Sequence, residues 1–294
     1  MKLLITGSNG LLGQKIVNQC LKKNIDFVAT SLGENRNSNC PKNAYFSLDI
    51  RSEVHVHNCI TKFNPTHVIH TAAMTNVDQC ELNPAECNEL NVMSTKYLWE
   101  ICLIKNIHFQ LLSTDFIFDG QKGDYTESDP PNPLSVYAHS KVNAEKLLLQ
   151  HTDANWSIVR TIIVYGQGEN LSRNNIVCWA KQTLENNQEM SIIDDQFRSP
   201  TWADDLAWAC IRICELKKNG IFHISGPETM SIFEVVSRIA RFYHLNSDLI
   251  KRSTSLSLNQ PAKRPPKTGF NLSKAKNELG YNPKTLEETL AILN

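Results

Sequence analysis

Short apolar runs alternate with longer amphipathic segments through the first half of the chain. Short apolar runs are typical of buried strands, whereas Leu12, Ile16, Val17 and Cys20 recur with the period of one helix face. Strands that alternate with helices at this spacing indicate an α/β fold, in which helices cover both faces of a parallel sheet. The pattern predicts strands at residues 3–6, 27–30, 67–70, 109–113 and 157–160, and helices at 11–23, 54–63, 91–105 and 140–150.

The second half is less regular. Residues 129–133 are rich in Pro and Asn and predict a turn before the helix at 140–150. Residues 251–268 mix Ser, Pro and basic residues and predict a loop with little regular structure. The length of 294 residues and the absence of internal repeats favour one large α/β domain with a smaller C-terminal cap.

Composition narrows the class of protein and of partner. Apolar residues make up 41% and charged residues 20%, as in an ordinary soluble globular protein. Thirty basic residues balance thirty acidic ones, which argues against nucleic acid or an anionic membrane as a partner. The nine cysteines include no C-x-x-C pair, so the usual signal of a zinc or thioredoxin-type site is missing. Without a recognisable signal peptide or membrane helix, these features predict reduced cysteines and a cytoplasmic protein.

A glycine-rich turn follows the first predicted strand. Gly7, Gly10 and Gly13 have the spacing G-x-x-G-x-x-G and open the first predicted helix. Glycines let the backbone approach a pyrophosphate, and a helix N-terminus offers free N–H groups and the positive end of its dipole. The alternative is an ordinary tight turn. Its place in a strand–turn–helix unit favours dinucleotide binding and a Rossmann-like, doubly wound parallel sheet.

The end of the second predicted strand bears on the choice of cofactor. Proteins that bind NAD often place an acid there for the ribose 2′-hydroxyl. Here the strand ends at Thr30 and Ser31 without an acid, and Arg36 follows in the next loop. Hydroxyls and an arginine suit a 2′-phosphate, so NADPH is favoured over NADH. The competing interpretation is that Arg36 is only a solvated charge.

Tyr137 and Lys141 form the second motif, Tyr-x-x-x-Lys. On a helix, residues four apart share a face. A neighbouring lysine favours the phenolate and lowers a tyrosine pKa that is ordinarily about 10. Such a pair acts as a general acid or base toward a carbonyl or an alcohol. The motif alone is common on amphipathic helices, but its combination with a glycine-rich turn is specific.

Together the motifs resemble the extended short-chain dehydrogenase/reductase superfamily and, within it, the dTDP-4-dehydrorhamnose reductase family. Residues 113–120 are similar to that family's Ser-Thr-Asp-Tyr-Val-Phe-Asp-Gly, and residues 70–78 resemble its alanine-rich loop. Residues 198–201 and 204–207 resemble its late Pro-Thr and Asp-Leu-Ala signatures. The resemblance covers nearly the whole chain.

The resemblance implies a role for each site residue. Thr114, Tyr137 and Lys141 would form a catalytic trio. In it Tyr137 gives a proton, Lys141 holds the nicotinamide ribose and Thr114 hydrogen-bonds the sugar carbonyl. No metal site is predicted. Besides Tyr137 and Lys141, the implied cofactor-binding residues are Gly7, Asn9, Gly10, Leu11 and Leu12 at the pyrophosphate, Ser31 and Arg36 at the 2′-phosphate, Asp49 and Ile50 at the adenine, and Ala72, Ala73 and Thr75 near the nicotinamide.

Two departures from the family pattern and one difference from a related subfamily constrain the function. Phe116 stands where the family usually has Tyr, and Ala138 where it has Gly. Neither belongs to the trio, so the resemblance still implies activity, while the substrate is less constrained. Thr114-Asp115-Phe116 also lacks the glutamate of the Thr-Asp-Glu sequence in sugar-nucleotide dehydratases, which favours carbonyl reduction over elimination.

The resulting hypothesis is an NADPH-dependent reductase of a nucleotide-linked 4-keto sugar. The first candidate reaction converts dTDP-4-dehydro-L-rhamnose to dTDP-L-rhamnose in dTDP-rhamnose biosynthesis, and a homodimer is the predicted assembly. Two alternatives stay open. One is a non-catalytic NADP-binding regulatory subunit, like the methionine adenosyltransferase β subunit, and the other is a nucleotide-sugar epimerase. The predicted dinucleotide-binding domain spans 1–165 and 198–225, and the predicted substrate-binding cap spans 166–197 and 226–294.

Overall fold

A seven-stranded parallel sheet forms the centre of the computed structural model, which describes residues 1–293. The strands are β1 (Lys2–Thr6), β2 (Asp26–Ser31), β3 (Tyr45–Ser47), β4 (His67–His70), β5 (His108–Thr114), β6 (Trp156–Thr161), β7 (Val164–Tyr165), β8 (Met190–Ile193), β9 (Phe197–Arg198), β10 (Thr201–Trp202), β11 (Gly220–Ile224), β12 (Met230–Ser231) and β13 (Ile250–Ser253). The helices are α1 (Leu11–Lys23), α2 (Glu53–Phe63), α3 (Val77–Leu82), α4 (Pro84–Asn88), α5 (Ser94–Ile104), α6 (Val136–Leu149), α7 (Ile176–Glu185), α8 (Ala203–Glu215), α9 (Ile232–Phe242), α10 (Ser273–Leu279) and α11 (Leu286–Ile292).

The order of the sheet strands is β11-β6-β5-β4-β1-β2-β3. Successive side chains of a strand point to opposite faces, so a strand buried on both faces is apolar throughout. In β1, Leu3 and Ile5 join the core shared with α1 and α8, whereas Leu4 joins the core shared with α2 and α5. The predicted α/β class and the doubly wound parallel sheet are confirmed.

A third apolar cluster is built by α7, α9, α11 and the parallel pair of β8 and β13. Within residues 1–293, no segment after β11 joins the seven-stranded sheet. Residues after Gly269 nevertheless contribute Phe270, Leu272, Ala275 and Tyr281 to the core of α1 and α8. The division into a cofactor domain and a cap, at the boundaries given above, stays a prediction.

Three predicted elements differ from the structure for identifiable reasons. The helix predicted to start at residue 140 begins at Val136 and is capped by the Ser135 hydroxyl. The buried polar Ser140 and Lys141 interrupt the apolar period over its first two turns. The helix predicted from residue 91 starts at Ser94, after a π-helical turn over Glu89–Met93. The predicted loop at 251–268 contains most of β13, whose exposed Lys251 and Arg252 mask the strand pattern.

Candidate active site

A cleft of about 890 Å³ opens at the carboxyl ends of the sheet strands. It is bordered by Gly7 after β1, Ser31 at the end of β2, Thr71 after β4, Thr114 at the end of β5 and Thr161 at the end of β6. The chain reverses its strand order between β1 and β4. Ligands of open α/β sheets bind outside the carboxyl ends of the strands at such a switch point.

The glycine-rich turn leaves room for a phosphate group at the start of α1. Gly7 has φ +70°, and a side chain there would contact the backbone nitrogen of Ala72 at 2.7 Å. Gly10 is the N-cap of α1 and makes no side-chain hydrogen bond to its first N–H groups, and the first turn of α1 contains no acid. In α2, by contrast, the Ser52 side chain accepts from the His55 N–H. The first N–H groups of α1 are therefore open to an anion. These features fit the pyrophosphate of a dinucleotide.

Asn9 ties the glycine-rich turn to the loop after β2. Its amide donates to the Glu34 carbonyl at 2.7 Å, and its side-chain oxygen accepts from the Arg36 N–H at 2.9 Å. Ser31 and the exposed Arg36 line the cleft, as the sequence predicts. Thr30 does not, because its buried hydroxyl donates to the Ile5 carbonyl at 3.1 Å. Only one of the two hydroxyls considered for a 2′-phosphate thus faces this region.

The predicted adenine end contains an ion pair. Asp49 and Ile50 line the cleft, and the Asp49 carboxylate accepts from the Arg51 guanidinium at 2.9 and 2.7 Å. This guanidinium holds the pKa of the Asp49 carboxyl below its usual value. Arg51 also lines the cleft, although no motif recognised in the sequence includes this position.

The predicted catalytic trio meets at the other end of the cleft. Thr114 ends β5, while Tyr137 and Lys141 lie on one face of α6. All three side chains are buried and line the cleft. The Phe116 ring meets the Tyr137 ring edge to face, with 6.1 Å between their centroids.

The structure therefore brings every predicted site residue to one cleft, while their individual roles stay predictions. The residues lining it include Gly7, Asn9, Gly10, Leu11, Leu12, Ser31, Arg36, Asp49, Ile50, Ala72, Ala73, Thr75, Thr114, Tyr137 and Lys141. The Ser113 hydroxyl in the same cleft is buried without a hydrogen-bond partner in the part of the chain that the structure describes. An unsatisfied hydroxyl there suits a polar ligand.

Burial shifts the pKa values of Tyr137 and Lys141. It raises the pKa of Tyr137 well above its ordinary value, with a smaller contribution from the Asp115 carboxylate, whereas the Thr114 hydroxyl lowers it. The sequence led us to expect a lowered pKa, but loss of hydration on burial raises it instead. Burial likewise lowers the pKa of Lys141 to about 8, and the Glu145 carboxylate opposes this shift.

Asn91 supports the trio and was missed by the sequence analysis. It lies in the π-helical turn before α5, and its amide nitrogen donates to the Ser140 hydroxyl at 2.9 Å and to the Met74 carbonyl at 3.1 Å. Its amide oxygen accepts from the Met74 N–H at 2.8 Å. Asn91 thus joins α6 to the loop after β4. In the sequence it reads as one polar position of an amphipathic helix.

Two other kinds of feature are absent from residues 1–293. No cluster of three or more His, Cys, Asp or Glu side chains with the arrangement of a metal site occurs there. None of the helices in that range combines the length and the apolar character needed to cross a membrane.

The sheet, the open helix N-terminus at its switch point and the Tyr–Lys pair on α6 define a protein of the Rossmann-like oxidoreductase class. The chain belongs to the RmlD substrate binding domain family, whose model matches residues 1–293. The family predicted from the sequence is thereby confirmed.

Curated relatives align along most of the chain. A probable low-salt glycan biosynthesis reductase of Haloferax volcanii is 28% identical, over 100% of this chain and 97% of its own length. A dTDP-4-dehydrorhamnose reductase of Aggregatibacter actinomycetemcomitans is 30% identical, over 98% of this chain and 97% of its own length. The methionine adenosyltransferase 2 subunit beta of Danio rerio is 29% identical, over 90% of this chain and 80% of its own length.

Solved structures share the fold throughout. A dTDP-4-dehydrorhamnose reductase of Clostridium acetobutylicum superimposes with a TM-score of 0.88 at 28% identity and covers 100% of this chain and 98% of its own. The dTDP-4-dehydrorhamnose reductase of Bacillus anthracis, in complex with NADP, gives a TM-score of 0.87 at 24% identity and covers 99% of this chain and 98% of its own.

Proposed function

We propose that the protein is an NADPH-dependent reductase of a nucleotide-linked 4-keto sugar. As a member of its family, the chain is an NAD(P)-dependent oxidoreductase. The observation that carries the proposal is the placement of Tyr137 and Lys141 in the same cleft as the open N-terminus of α1. The first candidate substrate is dTDP-4-dehydro-L-rhamnose, in dTDP-rhamnose biosynthesis in the cytoplasm. The names of the Aggregatibacter and Clostridium relatives support this choice.

Tyr137 and Lys141 have different roles in the proposed reduction. The chemistry that NADPH supplies when bound is a hydride for C4 of the sugar. Tyr137 gives its phenolic proton to the C4 oxygen, and its raised pKa keeps that proton in place until the oxygen becomes basic. Lys141, charged at neutral pH because its pKa is about 8, holds the ribose hydroxyls and stabilises the phenolate left on Tyr137.

The direct test is reduction of the proposed substrate by the purified protein. With NADPH and dTDP-4-dehydro-L-rhamnose, we expect loss of NADPH absorbance and formation of dTDP-L-rhamnose, and no turnover above background without the sugar. NADPH binding without turnover of any 4-keto sugar would instead favour the regulatory subunit, a role that the name of the Danio relative suggests. NAD that stays bound through purification and returns unchanged after turnover would favour the epimerase.

The same cleft predicts the cofactor preference. The exposed Arg36 and Ser31 both line the cleft, and β2 itself ends without an acid that would repel a 2′-phosphate. We expect NADPH to bind more tightly than NADH, and Arg36→Ala to weaken NADPH binding by about tenfold through loss of a charge-assisted contact. Calorimetry measures both affinities. NADH binding should not change, and Lys42→Ala, an exposed charge outside the cleft, serves as the matched control. Equal affinities of the wild type for both cofactors would refute the preference.

A further inference from the structure

Two buried thiols adjoin the candidate proton donor and take no part in the proposed reduction. Cys80 on α3 and Cys87 on α4 are both 0% exposed, and together with Tyr137 they form one apolar cluster. The two thiols are in direct hydrogen-bonding contact, although they lie on different helices. All nine cysteines of the chain are free in this structure. The cluster therefore contains a contacting pair of reduced thiols.

The two thiols have different surroundings. The single hydrogen of Cys80 has two acceptors within reach, the Met74 carbonyl at 3.5 Å and the Cys87 sulfur. With either acceptor, the hydrogen stays on Cys80. The Cys87 sulfur instead lies 3.5 Å from Nδ2 of Asn91, whose positive partial charge favours a thiolate. Cys80 is thus placed as the donor of the pair and Cys87 as the acceptor.

These surroundings shift the two pKa values in opposite directions. The contact with Cys80 lowers the pKa of Cys87, and the Lys141 charge adds to this effect while burial opposes it. The same contact, together with burial, raises the pKa of Cys80. Burial also raises the pKa values of Cys102 and Cys214. Because the thiolate is the form that attacks an oxidant, Cys87 should react faster than these other buried cysteines.

A single layer of side chains separates the pair from the cleft. Tyr137 belongs to the cluster, Val77 and Phe116 pack against it, and all three line the cleft. The helices α3 and α4 have only six and five residues, and helices of this length have little stability of their own. Hydrogen peroxide is scarcely larger than water. It can therefore reach the thiols from the cleft when these side chains and short helices move.

We propose that Cys80 and Cys87 are a site of reversible oxidation, at which a peroxide converts the two thiols to a disulfide beside Tyr137. The Cys87 thiolate attacks one peroxide oxygen, so an S–O bond forms, the O–O bond breaks, and the other oxygen leaves as hydroxide and becomes water. Cys80 then attacks the sulfenic sulfur of Cys87, so the S–S bond forms and the hydroxyl leaves as water with the Cys80 hydrogen. Two thiols lose two electrons in total, and one peroxide is reduced to two waters. A dithiol reverses the change by thiol–disulfide exchange.

The disulfide changes the wall of the cleft. It brings the two sulfur atoms to about 2.05 Å, so α3 and α4 must shift toward each other. The Met74 carbonyl loses its Cys80 donor, and the next residue, Thr75, lines the cleft. We expect oxidation to lower kcat about fivefold, the effect of one hydrogen bond. This effect on kcat rests on the proposed function, whereas the oxidation does not.

The test is treatment of the reduced, full-length protein with hydrogen peroxide at neutral pH, followed by intact mass and peptide mapping. We expect the loss of two hydrogen atoms and a disulfide between the peptides that contain Cys80 and Cys87, both reversed by dithiothreitol. This measurement needs no sugar. Turnover of the 4-keto sugar before oxidation, after it and after reduction then measures the effect on kcat.

Substitutions separate the roles of the two thiols. Cys80→Ser should leave Cys87 as a sulfenic acid, which dimedone traps as a covalent adduct. Cys87→Ser should leave Cys80 reduced at a peroxide concentration that oxidises the wild type. The matched control is Cys214→Ser. It changes a second buried pair, Cys210 and Cys214 on α8, in which burial raises both pKa values, and it should oxidise as the wild type does.

Several outcomes would overturn the proposal. One is a wild type in which Cys80 and Cys87 stay reduced while the partly exposed Cys178 is oxidised, because exposure would then govern reactivity. Another is oxidation of Cys80 in Cys87→Ser at the wild-type rate. A disulfide that leaves the kcat of an active wild type unchanged would remove the coupling to turnover. A wild type that reduces no 4-keto sugar would remove the proposed function and leave the mass measurement decisive for the thiols.

Discussion

Tyr137→Phe is expected to lower kcat by about 10²- to 10⁴-fold while NADPH still binds, because a general acid contributes a factor of this size. The phenol is buried at the end of the cleft opposite the adenine region, and a phenylalanine of nearly the same shape fits there. Steady-state turnover of the 4-keto sugar and calorimetry with NADPH measure the two quantities separately. Because phenylalanine has nearly the shape of tyrosine, the substitution removes the phenolic proton and leaves the NADPH-binding residues in place.

The matched control is Tyr97→Phe, which removes the hydroxyl of a partly buried tyrosine on α5 outside the cleft. It should turn over at the wild-type rate. Normal turnover by Tyr137→Phe, beside an active wild type, would show that Tyr137 only packs and would end the proposed mechanism.

Lys141 is expected to serve both cofactor binding and proton transfer. Lys141→Ala should lower both kcat and NADPH affinity, because the ammonium holds the ribose and stabilises the phenolate. Burial lowers the pKa of Lys141 to about 8, so the ammonium loses its proton as pH rises through that value. Lys141-dependent NADPH affinity should therefore be retained below about pH 8 and fall above it.

The parts of this fold that a sequence pattern predicts are those whose burial follows one period. α1 has the predicted bounds, since its apolar residues occupy one face and Asn24 ends it in the left-handed conformation. β4 also has its predicted bounds, because its side chains are buried on both faces of the sheet. β3 was not predicted. Its three residues pair only at the edge of the sheet and bury no side chain fully.

Motif residues of the candidate site could be named in advance because short local spacing determines where they lie. Gly7 directly follows β1, in the turn that leads into α1. Tyr137 and Lys141 share a face of any helix that contains both. Asn91 and Thr268 could not be named. They reach the site through contacts with residues that are 49 and 153 positions away along the chain. Such contacts exist only once the chain has folded, and so do the burial effects that set the pKa values.

Four buried histidines are expected to make the fold sensitive to mild acid. Burial lowers the pKa values of His67 and His108 to about 4, and those of His70 and His223 to about 3. In His223, Nδ1 faces the Tyr125 carbonyl at 3.0 Å and Nε2 faces the Arg160 guanidinium at 3.4 Å. The neutral ring satisfies both contacts, whereas a second proton would meet the positive charge of Arg160.

The sign of the pH dependence follows from the lowered pKa values. An unfolded histidine titrates near pH 6.5, so below that pH the unfolded chain binds protons that the folded chain excludes. The free energy of unfolding should therefore fall as pH drops from about 6.5 toward 4, by up to about 1.4 kcal/mol per pH unit for each of these histidines. Urea unfolding at several pH values measures the slope. His223→Gln should reduce it by about that amount, whereas His57→Gln, at an exposed position on α2, should leave it unchanged. A wild-type stability that stays constant between pH 6.5 and about 4.5 would contradict the burial of neutral imidazoles, because proton uptake by the unfolded chain would then be matched in the folded state.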